Sequence, residues 1–85
     1  MHVKIEIPDY DPVIGFKYKW EDCFKIETIV KNNEIIIKAN KEGLVSLARH
    51  LLNLAQDAVP KDVHLHLDEN NSLEDGSTDL VIVKV

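Results

Sequence analysis

His64 and His66 are the residues whose type and spacing come nearest to chemistry. Two apart on an extended chain they project to one side, with Asp68 next in line, because alternate residues of a strand share a face. A metal could use that spacing, with His50 or His2 as a further ligand. A zinc site needs at least three protein ligands. His50 falls on the polar side of a helix, away from the sheet, so the pair reads equally as two sheet-face histidines making hydrogen bonds or partner contacts. No metal and no cofactor is assigned to the chain. Cys23 is the single cysteine and has no neighbouring His or basic run to stabilise a thiolate, so no nucleophile is assigned either. Asp68-Glu69-Asn70-Asn71-Ser72 begins like a calcium loop, but Leu73 stands where that loop requires glycine. The three glycines are isolated, which excludes a phosphate-cradling loop. The expectation is a protein that acts by binding and not by catalysis.

Charge gives the second signal. The net charge is −5, from 15 acidic and 10 basic residues, and its distribution is uneven. Asp68, Glu69, Glu74, Asp75 and Asp79 fall in one stretch that contains no Lys or Arg, and the rest of the chain is neutral. Phosphate binding needs clustered basic side chains, so nucleic acid is excluded as a partner. A basic protein fits, since opposite potentials steer encounter. The alternative is a solvated loop that keeps the chain dispersed.

The elements that must carry these residues follow from periodicity. Residues 2–7 alternate, with Val3, Ile5 and Ile7 on one side, and read as a strand. Pro8-Asp9-Tyr10-Asp11-Pro12 breaks it. Residues 13–20 alternate again through Phe16, Tyr18 and Trp20 and read as a second strand. Phe24–Lys31 and Glu34–Ala39 flank Asn32-Asn33, a pair that tolerates the positive φ of a tight two-residue turn. That turn fixes a register in which Lys31 faces Glu34, Ile29 faces Ile36 and Glu27 faces Lys38. Both charged pairs then have opposite signs and share a face, which a one-residue slip would destroy.

Asn40 suits the N-cap of a helix running to about Ala58 and stopped by Pro60. Leu44, Leu47, Ala48, Leu51, Leu54, Ala55 and Ala58 cluster on one side of it, flanked by Val45 and Leu52; Ser46, Arg49, His50, Asn53, Gln56 and Asp57 fill the other. The apolar side is expected to lie on a sheet. Val63–Asp68 alternates as a strand. Gly76 supplies a positive φ in the acidic loop, and Leu80–Val85, apolar on both faces save Lys84, reads as an interior strand. The whole is a single α+β domain over residues 1–85: one mainly antiparallel sheet of about six strands, ordered ββββαββ, with one amphipathic helix on one face. The other face would carry Ile29 and Ile36 within a charged rim, together with His64 and His66, as a partner-binding patch. Tyr10, Tyr18 and Trp20 are either anchors of such a patch or packing at the edge of the core.

No apolar run approaches the ~20 residues of a membrane span, and the first residues lack a signal-peptide pattern. With a lone cysteine, a cytoplasmic protein is expected.

From Gly43 onward the chain resembles a small immunity-protein family of bacterial polymorphic toxin systems. The resemblance is carried by Gly43-Leu44, Leu47-Ala48, Leu51-Leu52 and Leu54-Ala55, then His64-Leu65-His66-Leu67-Asp68, and finally Gly76-Ser77 before Leu80-Val81-Ile82. It implies a non-enzymatic inhibitor that binds a cognate toxin and protects the producing cell; it transfers no catalytic residue and leaves the toxin open. Many toxin domains are nucleases with basic clefts, which the acidic stretch could occupy in place of phosphates. Two other readings stand beside it: a structural module that forms a homodimer through the open sheet face or a sheet edge, and a His-based metal-binding domain.

Overall fold

A computed structural model describes all 85 residues. Four strands and one helix follow one another as β1 (Ile26–Lys31), β2 (Glu34–Ala39), α1 (Lys41–Leu54), β3 (His64–Leu67) and β4 (Leu80–Val83). The α+β class stands, but the expected six-strand sheet is replaced by two antiparallel hairpin sheets, β1–β2 and β3–β4. No helix is long and apolar enough to cross a membrane.

The β1–β2 hairpin has the register that the Asn-Asn turn dictates. Asn32 and Asn33 take φ of 52° and 63°, and the pairs run from Lys31 opposite Glu34 to Ile26 opposite Ala39. Glu27 and Lys38 face each other at 3.9 Å. Asn40 caps α1 and also ties the helix to the chain entering β1. Its Oδ1 accepts from the N–H of Gly43 (2.8 Å) and of Lys25 (2.9 Å), and its Nδ2 donates to the Cys23 carbonyl (2.9 Å).

α1 stops at Leu54, four residues short of the expected Ala58. Breaking there lets the following turn bury Val59 beside Leu54 and Leu65. The exposed carbonyls at this end have a partner from the far end of the chain: Lys84 donates Nζ to Gln56 O (2.6 Å) and Val59 O (2.7 Å). A cation on the last carbonyls of a helix is favourable both as a hydrogen bond and against the helix dipole. Lys84→Met should therefore lower stability by about 1–2 kcal/mol, read by denaturant titration; an unchanged midpoint would mean that water caps this end equally well.

The N-terminal quarter is where the expected strands fail. Residues 2–7 join no ladder, and residues 13–20 contain only the closing bridge of a turn, Asp11 with Gly15. The alternation of Phe16, Tyr18 and Trp20 is nevertheless used, because this segment lies extended against α1 with helix side chains as its hydrogen-bond partners. Asn53 Nδ2 donates to Lys17 O (3.0 Å), Lys19 N–H donates to His50 Nε2 (2.9 Å), Arg49 donates to Lys19 O (3.3 Å), and Glu21 N–H donates to Ser46 Oγ (2.9 Å). Backbone groups of alternate residues thus find a row of helix side chains at three- and four-residue spacing, which satisfies them as a strand would. The expected orientation of α1 is corrected accordingly: Ser46, Arg49, His50 and Asn53, read as its solvent side, are buried.

The last strand is corrected too. β4 pairs with β3 only, and Val81 and Val83 are exposed, so it is not an interior strand. The free edge of β1 is covered instead by the acidic stretch. Glu74 N–H donates to Ile26 O (2.9 Å), Thr78 N–H donates to Thr28 O (3.0 Å), and Thr28 N–H donates to Ser77 Oγ (3.2 Å). Covering that edge also removes a template for unwanted strand pairing.

Two small clusters form the core. Ile26, Leu47, Leu67 and Leu73 pack with Trp20, Phe24, Ala39 and Leu80; Leu54, Val59 and Leu65 pack with Tyr10, Phe16, Val63 and Ile82. α1 spans both through Leu47 and Leu54, and β3 through Leu67 and Leu65.

Candidate partner-binding surface

The acidic stretch is built as an anchored loop. Asp68 opens it as a turn: its Oδ1 accepts from the N–H of Asn70 (2.9 Å) and Asn71 (3.1 Å), while Asn71 reaches back to Asp68 N–H and to the His66 carbonyl. Leu73 and Ser77 are buried and hold the loop down at two points. Gly76 has φ of +85°, as its place in the turn requires, and its N–H donates to Glu69 Oε2 (3.1 Å).

These bonds sort the five acids. Asp68 and Glu69 are engaged within the loop, and Asp79 meets His66 at 3.1 Å. Glu74 and Asp75 are exposed and make no ion pair. They are the loop's uncompensated charges, held by the Glu74 N–H bond to β1. Glu74 also borders a depression of about 390 Å³ whose rim includes Lys25, Glu27 and Lys38.

His64 and His66 share the outer face of β3–β4, opposite Val83 and Val81 respectively. His66, Asp68 and Asp79 bring ligand atoms within 4.8 Å of one another. Three donors at that spacing could hold a divalent cation with water completing its shell, and the same closeness serves the His66–Asp79 pair. His64 stands apart, with Nδ1 3.4 Å from the Asp62 carbonyl. His50 is far from any such role. It is fully buried, with its ring against those of Trp20 (4.3 Å between centroids) and Tyr18 (5.3 Å). Burial, assisted by the neighbouring Arg49 guanidinium, lowers its pKa from 6.5 to about 4. Since Nε2 accepts from Lys19 N–H, the neutral ring carries its proton on Nδ1, which has no hydrogen-bonding partner in the protein.

Ile29 and Ile36 lie opposite each other on the first hairpin; Ile29 is half-buried and Ile36 lies on the same side of the sheet. They belong to a different sheet from His64 and His66, so the single open face expected for all four is divided. The more exposed apolar residues of that hairpin are Val30, Ile35 and Ile37, on the side that carries the helix. Sequence reasoning passes over these, over Val81 and Val83, and over Leu44, Leu51 and Leu52 of α1, all of which are exposed. Apolar periodicity reads as burial, and nothing local distinguishes an apolar residue kept for the core from one kept for a partner.

No curated protein and no solved structure matches the chain. The family model described as Immunity protein 32 (Imm32) matches residues 34–85, which include β2, α1, β3, the acidic loop and β4. Residues 1–33, with the first strand of the hairpin and the segment docked on α1, lie outside the match. The match covers more than half of the sequence, and the chain belongs to the immunity protein 32 family.

Proposed function

We propose that this protein binds and neutralises a cognate bacterial toxin in the cytoplasm, without catalysis, and that residues 1–85 act as one domain in doing so. The observation that carries the reading is the family match over residues 34–85. The toxin surface is basic, and a nuclease cleft suits it, because a cleft that binds phosphates also accepts carboxylates. Glu74 and Asp75 lead the encounter, being exposed and unpaired on a loop tied to β1. The His66–Asp79 pair, His64, Val81 and Val83 form the adjoining face of β3–β4, where apolar area sits among polar groups as in the centre of an interface. Asp68 and Glu69 contribute chiefly by shaping the loop. Ile29 and Ile36 add to the contact on the first hairpin.

The test is association kinetics with the toxin domain encoded beside this protein. Glu74→Lys with Asp75→Lys should slow association by about tenfold or more at low salt and flatten its salt dependence, because steering acts on the on-rate. Unchanged kinetics would remove the acidic loop from the mechanism. Failure of the unaltered protein to bind or inhibit that toxin would overturn the immunity reading itself.

A further inference from the structure

α1 is inverted relative to an ordinary surface helix. Its hydrogen-bonding arc is buried under the N-terminal segment, and its apolar arc faces outward. Leu44, Leu51 and Leu52 are 57 %, 44 % and 52 % exposed. Ala55 is exposed and Val45 and Ala48 half-exposed on the same side. At 100° per residue the centre of this arc falls at Ala48, opposite the buried side, and no charged or hydrogen-bonding side chain of residues 44–55 lies on it. The helix-bearing face of the first hairpin adds the exposed Val30, Ile35 and Ile37.

We infer that this outward face of α1 is the interface between two copies of the chain, packed antiparallel about a two-fold axis at Ala48. A two-fold interface must be complementary to itself. Here Leu44 of one copy meets Leu52 of the other, Val45 meets Leu51, and the small Ala48 side chains let the axes approach to the ~8 Å of close helix packing. The charges at the two ends of the stripe agree with this arrangement. Lys41 precedes it and Asp57 follows it, both exposed, so an antiparallel pair sets Lys41 against Asp57 at each end. Antiparallel helices also oppose their dipoles favourably. The exposed apolar area of the helix stripe and the hairpin residues is on the order of 600 Å² per copy, approaching the ~800 Å² that each partner contributes to a standard interface. A second copy fits this face better than a basic toxin does, because the uncompensated acids lie elsewhere, on the 68–79 loop. The inference goes beyond the immunity reading and does not depend on it.

Sedimentation velocity of the purified chain, from low to several hundred micromolar, tests it without any toxin. A concentration-dependent dimer is expected. Leu51→Glu should give a monomer with unchanged far-UV circular dichroism, since that side chain is outside the core. Lys41→Glu should weaken the dimer about tenfold or more, and Lys41→Glu combined with Asp57→Lys should restore it. A wild-type monomer throughout the range would overturn the inference, as would a Leu51→Glu protein that still dimerises. Failure of the double charge swap to recover the dimer would overturn the antiparallel arrangement. A monomeric wild type whose Leu51→Glu variant loses toxin binding would give the face to the toxin instead.

Discussion

Gly43→Ala should destabilise this protein by about 2–4 kcal/mol, although a glycine-to-alanine change inside a helix ordinarily stabilises it by about 1 kcal/mol. The inverted sign comes from a close approach. A Cβ on Gly43 would stand 2.4 Å from the Lys25 carbonyl oxygen, 3.0 Å from Ile26 Cγ1 and 3.1 Å from Asn40 Oδ1. The first of these is backbone and cannot rotate away. Lys25 is held on both sides, its N–H on Asn40 Oδ1 (2.9 Å) and its carbonyl accepting from Asn40 N–H (3.1 Å). Relief requires α1 to lift from the chain that enters β1, opening the cluster of Ile26, Leu47, Leu67 and Leu73. In a domain this small the loss should lower the melting temperature by on the order of 10 °C or more. Calorimetry on the two proteins decides it, and a Gly43→Ala variant as stable as the parent would show that helix and strand entry stand further apart.

Acidification should weaken the fold through His50, and the sign follows from the direction of its shift. The folded state lowers this pKa from 6.5 to about 4, so between those values the unfolded chain binds a proton that the folded chain refuses. The stabilisation is fully present above 6.5, is lost as pH falls toward 4, and changes no further below that. The full loss is about 3 kcal/mol, of which about 2 kcal/mol falls between pH ~7 and pH ~4.5. Protonation would end the Lys19 N–H bond to Nε2 and leave a cation among Trp20, Tyr18 and Arg49. His50→Gln keeps an oxygen able to accept from Lys19 and removes the titration. Urea unfolding of both proteins across this range should give a pH slope for the parent that is steeper by that amount; parallel slopes would mean that His50 is open to water in the folded state.

These two residues also show what the fold asks of α1. Gly43 sets the distance to the first hairpin, and His50 belongs to the row that holds the N-terminal segment. The segment buries aromatic side chains against the helix, with Tyr18 and Trp20 stacked at 6.0 Å and Trp20 and Phe24 at 4.7 Å. Wrapping one side of the helix in this way leaves the leucine side free, which is the origin of the face proposed to pair two copies.

Features that depend on neighbours along the chain are legible in the residues alone. The Asn32-Asn33 turn, the full register of β1 with β2, the Asn40 cap, the positive φ of Gly76 and the alternation that buries Leu65 and Leu67 are of this kind, because turn geometry, cap chemistry and side-chain direction are local. So is the separation of charge that singles out residues 68–79, and the family resemblance is carried by the region from Gly43 onward. What each surface meets is a matter of the folded chain. The alternation of residues 13–20 is the same whether the backbone pairs with a strand or with Ser46, Arg49, His50 and Asn53. The amphipathic pattern of α1 is likewise symmetric between its two sides until a polar segment claims one of them. Whether Glu74 floats in a solvated loop or lies along the edge of β1 depends on a hydrogen bond to Ile26, 48 residues earlier in the chain. Periodicity records that two faces differ; which of them is covered is fixed by contacts between distant parts of the chain, and those no local pattern encodes.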